Sequence, residues 1–204
     1  MPNSHSLKAD GKPMLFSYDL ETEIENIERW SQGSKADGTS VQILKKLASD
    51  YIEIIDSNSV SSEQLQRLHE ATSKGKSGIW ERAVSRLELL VYHFDEAKLF
   101  VVDAIKAAKG ATLERLLNVV SDNFSSEQQL QIFGSGLASA NKKIRMKAAE
   151  MCLDSRNMEL VPMLESKLAS EVDPIVKSCL KFAIRNMHQP KGELVIDMDD
   201  EDDD

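Results

Sequence analysis

A chain of 204 residues with 41% hydrophobic but only 5% aromatic content holds enough apolar material for a core. It must fill that core with Leu, Ile, Val, Ala and Met, the side chains of packed helices rather than of a β-sandwich. The formal charge of −9 is concentrated: eight of the 34 acids fall in the last twelve residues, leaving 26 acids against all 25 basic residues elsewhere, which argues against a broadly cationic nucleic-acid binder.

The first 17 residues are polar, contain Gly11 and Pro13, and read as a flexible segment whose Met14-Leu15-Phe16 is able to dock on the first helix. No apolar h-region follows, and no run of eighteen apolar residues occurs anywhere, so neither a secretory signal nor a membrane span is expected and the expected location is cytoplasmic. Asp19 offers an N-cap, with Glu21 and Glu23 in the first turn and Ile24, Ile27 and Trp30 as the apolar side of a short helix. Ser31 to Gly38 is loop by composition. Val41, Leu44, Leu47, Ala48, Tyr51, Ile52 and Ile55 then follow at helical spacing. Ser61-Ser62-Glu63-Gln64 has the form of a capping box and opens a helix through Leu65 and Leu68, which Ser73 to Gly78 ends.

From Ser77 the pattern is periodic. Trp80, Leu113, Ile144 and Val176 recur at separations of 33, 31 and 32 residues, each followed four residues later by Val84, Leu117, Ala148 or Leu180. Before each later anchor an apolar pair closes a second helix: Val101 and Ile105, Phe133 and Leu137, Leu164 and Leu168. One such helix pair cannot bury its own apolar stripes, and stacking neighbours closes the core. Val161-Pro162-Met163-Leu164, Leu168 and Asp173-Pro174-Ile175-Val176-Lys177 resemble a HEAT repeat, with Asn141-Lys142-Lys143-Ile144-Arg145 as a weaker copy; the likeness is good over 125–188 and reaches back to 77. The resemblance implies a right-handed α-α superhelix, a short solenoid over 77–190; with the helices read over 18–76 packed on it, and a tail over 191–204 whose like charges leave it disordered, the whole is expected to be all-α. HEAT repeats serve chiefly as protein-binding scaffolds, so the resemblance also implies a protein partner.

Several motifs carry chemistry elsewhere and are weighed against it here. Gly75-Lys76-Ser77 has part of a phosphate-binding loop, but Glu70 stands where the first glycine belongs and no strand is expected before it. Gly134-Ser135-Gly136 lacks the glycine spacing of a nucleophile elbow, and its glycines read instead as a place of close helix approach. His5, His69, His93 and His188 have no ligand spacing, and Cys152 and Cys179 sit in apolar helical patterns as reduced core residues. No metal, nucleotide or other cofactor is expected. Trp80-Glu81-Arg82 is similar to part of the HEAT-like DNA glycosylases that remove alkylated bases, the enzymatic alternative, although three residues are little to rest on and Trp80 also suits the groove between repeats.

Residues 141–191 hold ten bases against six acids. Lys142, Lys143 and Lys147 crowd one helix, while Lys177, Lys181 and Arg185 line another at four-residue spacing. Arg145 and Lys177 occupy the repeat position at which the resemblance implies a structural basic residue. The partner-binding candidates are therefore Lys142, Lys143, Lys147, Lys181 and Arg185, together with Asp199, Asp200 and Glu201 of the tail. The expected function is a non-catalytic scaffold, in its specific form an inhibitor or immunity protein that occludes a basic toxin or enzyme. An assembly factor or chaperone is the further alternative. The tail is expected to shield the basic ridge in cis, to reach a basic partner, or to serve only as a solubilising appendage.

Overall fold

The computed structural model describes residues 19–34, 36–76, 78–120 and 123–189. The N-terminal segment expected to be flexible, the acidic tail with Asp199, Asp200 and Glu201, and Ser77 lie outside the described residues. Within them the chain forms ten α-helices and one short 3-10 turn, with no strand. It divides into two compact units, up to Asn123 and from Phe124. Helices α4 to α6, expected within the repeat region, belong to the first unit.

The first unit contains α1 (Leu20–Ser34), α2 (Gly38–Ser57), α3 (Ser62–Lys74), α4 (Ile79–His93), α5 (Asp95–Ala107) and α6 (Gly110–Leu117). Asp19 caps α1, its carboxylate accepting from the amides of Glu21 and Thr22 at 3.0 and 3.2 Å. Helix α1 runs on through the serine-rich stretch read as loop: the Ser31 hydroxyl donates to the Glu28 carbonyl at 2.7 Å, so its polar group is satisfied inside the helix. Asp37 then caps α2 by accepting the Ser40 amide at 2.8 Å. The Ser61-Gln64 capping box closes in both directions, at 2.9 and 3.3 Å.

Leu44, Leu47, Ile54, Leu68, Leu87 and Leu90 are buried where α2, α3 and α4 meet. Asp50 is buried among them and held by a two-pronged contact from Arg67, at 2.6 and 3.0 Å, and by Lys46 at 3.0 Å. Burial works to raise its carboxyl, but these hydrogen bonds outweigh burial and leave it below the ordinary value. At the start of α4, Gly78 takes φ +87°, and a Cβ there would collide with the Trp30 ring. The tryptophan of α1 thus packs against bare backbone.

The second unit contains α7 (Ser126–Leu137), α8 (Lys142–Ser155), the 3-10 turn at Met158–Leu160, α9 (Val161–Ser170) and α10 (Pro174–Met187). Ser125-Ser126-Glu127-Gln128 repeats the earlier tetrapeptide and makes the same two-way box. Asp173 caps α10 with Pro174 in its first turn, accepting the amides of Ile175 and Val176 at 3.0 and 3.2 Å. Helix α8 packs on α7 and α10, and α9 packs on α10. Ile132, Phe133, Ile144, Ala148, Leu164, Val176 and Leu180 fill the core. The repeat anchors Leu113, Ile144 and Val176 are buried, but Trp80 is only half-buried and its neighbour Ile79 takes the core position. Leu168, expected in the core with Leu164, is also only half-buried.

Three arginines donate to backbone carbonyls at or just beyond helix ends, where the regular helical bonding runs out. Arg115 donates to Thr72 and Ser73 carbonyls at 2.8 and 3.2 Å while its guanidinium lies over Trp80, 4.9 Å from the ring centre. Arg145 donates to Ser139 and Ala140 carbonyls at 2.9 and 3.0 Å. Arg156 donates to the carbonyls of Asn186 and Gln189 at the end of α10.

Candidate functional site

The basic residues singled out from the sequence fall into different roles. Arg145 is structural, as its repeat position implies, but its acidic partner is Glu171: the guanidinium fork meets both carboxylate oxygens, at 2.8 and 3.0 Å. Glu171 is 4% exposed and also receives Lys167 at 3.2 Å and the amides of Val172 and Asp173 at 3.0 and 3.1 Å. Its carboxyl is held down to about 2, foremost by Arg145. This residue orders the turn before α10, and no feature of sequence periodicity marks it. Lys177, expected to be structural like Arg145, stands exposed and makes no such clamp among the described residues.

Lys142 pairs with Asp173 across the turn at 3.4 Å, which brings the start of α8 beside the start of α10. Lys143 is exposed on the same end of α8, and Lys147 is half-buried further along. Lys181 and Arg185 are exposed on α10. The helix therefore assembles Lys177, Lys181 and Arg185 on one outward side, while Lys142 is engaged in an ion pair.

The charge-based reading missed the apolar content of this same helix. Ile175 is 52% exposed, Phe182 is 37% exposed and Val172 in the preceding turn is 86% exposed. Ile175 and Phe182 are seven residues apart and so lie on one side. An exposed Ile or Phe inside a helix does not stand out in sequence, because Val176, Leu180 and Ala183 supply the buried stripe and the remainder reads as continuation of the core.

In the first unit a groove of about 670 Å³ runs between α2 and α3, floored by Ile43, Leu47, Ala71 and Ile79 and rimmed by Lys46, Arg67, Lys74 and Lys76. Its cations are largely committed: Arg67 and Lys46 hold Asp50, and Lys76 pairs with Asp37. The Gly75-Lys76 loop thus follows a helix, and its lysine is engaged by a carboxylate. Trp80, Glu81 and Arg82 each have structural company. Trp80 lies under Arg115, Glu81 accepts the Gly78 amide, and Arg82 reaches Glu23 at 3.2 Å. Beside them Arg86 is buried with one nitrogen on Glu23 at 2.7 Å, and burial lowers the pKa of its guanidinium.

Gly134 and Ser135 lie within α7, where Ser135 donates to the Gln131 carbonyl at 2.9 Å. A Cβ at Gly134 would meet Met163 Sδ at 3.5 Å, ordinary contact, so space at that position does not demand the glycine. Cys152 and Cys179 are free thiols, and burial pushes Cys152 up to about 12. Among the described residues no group of three His, Cys, Asp or Glu side chains is placed to hold a metal ion, and no helix is long and apolar enough to cross a membrane. Comparison of the chain with protein-family models, with curated proteins and with solved structures finds no match.

Proposed function

We propose that this chain is a non-catalytic protein-binding scaffold of HEAT-like character, and that the second unit docks its partner on α10. One observation carries the reading. The last helix of that unit has no later described helix to cover it, yet it exposes Ile175 and Phe182 beside Lys177, Lys181 and Arg185. The end of a helical-repeat stack is ordinarily made polar for solubility. Apolar anchors flanked by cations suit a partner that offers apolar side chains flanked by carboxylates: the anchors supply affinity, and the charges supply orientation and association rate. The right-handed superhelix implied by the HEAT resemblance belongs to this proposal, as does the narrower role of an inhibitor or immunity protein. Occlusion of a basic toxin would use the tail acids Asp199, Asp200 and Glu201, because the α10 face carries the opposite charge.

The test is affinity capture from native extract with the full chain and with a Phe182→Asp, Lys181→Glu variant of unchanged helix content, followed by titration of the purified captured protein. The expected result is a partner retained by the wild type and lost, or weakened at least tenfold, by the variant. The same set of proteins captured by both would overturn the assignment to α10.

A further inference from the structure

In the periodic pattern Ile144 and Val176 are 32 residues apart, so Ile175, Cys179 and Phe182 of α10 correspond to Lys143, Lys147 and Glu150 of α8. Both helices bury the same stripe, Ile144 and Ala148 in one, Val176 and Leu180 in the other. Their outer rows differ. Helix α8 keeps charges there, as a solvated face does, and α10 replaces each of them with an apolar side chain or a thiol. Burial and the nearby Glu150 raise the Cys179 thiol, which puts this row on the α8 side of its helix. Met146, half-buried one turn before Glu150, adds an apolar side chain from α8. The two flanks are also unlike. On α8, Lys143 and Lys147 are followed by Glu150 and Asp154, so the signs balance. On α10 the flank is Lys177, Lys181 and Arg185, and the helix contains no acid at all.

We propose that the occupant of this row is an amphipathic α-helix of a protein partner, with apolar residues at i, i+4 and i+7 over Ile175, Cys179 and Phe182 and carboxylates along the one flank that meets Lys181 and Arg185. This names the partner of the α10 surface and so rests on the function proposed above. Spacing favours a helix. Cys179 and Phe182 stand about 6 and about 10.5 Å along the axis from Ile175, the unequal steps that i, i+4 and i+7 of a second helix reproduce. An extended segment presents one face every second residue, about 6.6–6.8 Å apart, and its third side chain overshoots Phe182 by about 3 Å. Backbone chemistry favours it too. The described residues contain no strand, so an extended partner finds no sheet edge for its amides and carbonyls, whereas a helix satisfies its own. The charge pattern sets the orientation about the helix axis: carboxylates on the α10 flank gain attraction, and on the balanced α8 flank they do not. They fall along the second half of α10, away from the start that Asp173 caps.

Cys179 reports on the contact, because it lies within the row and is half-buried, whereas Cys152 is fully buried and stays silent. Alkylation of Cys179 by iodoacetamide is timed by mass spectrometry in the full chain, with and without synthetic peptides at one concentration. The probe is a helix-forming peptide of Ala and Gln with Leu at i, i+4 and i+7 and a row of Glu on one flank. Its controls are the same peptide with a central proline, which breaks the helix, and with Lys for every Glu. The acidic helix is expected to slow alkylation at least threefold, and neither control to do so. A Lys181→Glu, Arg185→Glu chain of unchanged helix content is expected to lose the protection. No protection by the acidic helix, equal protection by either control, or protection that survives in the variant would overturn the proposal. A partner captured through Phe182 and Lys181 in the test above, with no protection by the acidic helix, would leave docking on α10 standing and remove its helical occupant.

Discussion

Replacing Leu164 by Ala probes the register of α9 and α10 directly. Leu164 is fully buried, and the substitution removes three carbons from the core between α9, α10 and α7. At about 0.8 kcal/mol per buried methylene the transfer loss alone is roughly 2.4 kcal/mol. The cavity left behind brings the expected total to about 2–5 kcal/mol. Leu168, one turn later, is half-buried, so its truncation gives up less transfer energy and opens part of its gap to solvent. About 1 kcal/mol is expected there. The assay is urea unfolding followed by far-ultraviolet circular dichroism. Emission is unsuited to it, because both tryptophans and all three tyrosines precede Phe124 and report on the first unit. Equal losses at the two positions, or a larger one at Leu168, would refute the placement of α9.

Three further outcomes are expected. Glu171 has a folded-state pKa depressed to about 2 from 4.5, so its contribution is present above 4.5 and is lost as pH falls through about 2; Glu171→Gln should flatten the acid limb of the stability profile in that window. His69 is shifted the opposite way relative to its charged form: burial lowers it from 6.5, so the unfolded chain takes the proton first and stability falls as pH drops below 6.5. His69→Leu should therefore lose less stability than wild type between about pH 7.5 and about pH 5 in paired denaturant titrations. Gly78→Ala should cost about 1–2 kcal/mol for the left-handed backbone alone, and the collision with Trp30 adds to this, measured as a fall in the thermal midpoint.

Helices whose ends are written in side chains were legible before any coordinates. Ser61 and Gln64 announce their own box, and Asp173-Pro174 announces the start of α10, because caps are local chemistry. Ser31 to Ser34 misled for the complementary reason: a run of small polar residues has weak preferences of its own, and α1 simply continues through it. Trp80 took the anchor position in the periodic pattern, yet the structure buries Ile79 and leaves the indole as a platform for Arg115, a role that depends on a residue 35 positions away. The candidate site was half legible. Periodicity aligned Lys177, Lys181 and Arg185, but it had no means to separate Ile175 and Phe182 from the buried stripe, nor to single out Glu171, whose importance lies in two side chains, Arg145 from another helix and Lys167, joining two amides of its own turn on one carboxylate.

Arg156 illustrates how two demands at one position can close off a common engineering route. It ends α8 at φ +53°, a conformation in which glycine would ordinarily relieve about 1–2 kcal/mol of steric cost. The same residue's guanidinium caps the carbonyls of Asn186 and Gln189, from which the chain departs toward its C-terminus. A helix-end redesign toward the favoured glycine would thus relax the backbone of α8 and, with the same substitution, untie the far end of α10. The familiar consensus repair at this position is a trade between two helices, and its net sign is set at the end of α10 rather than at the residue being changed.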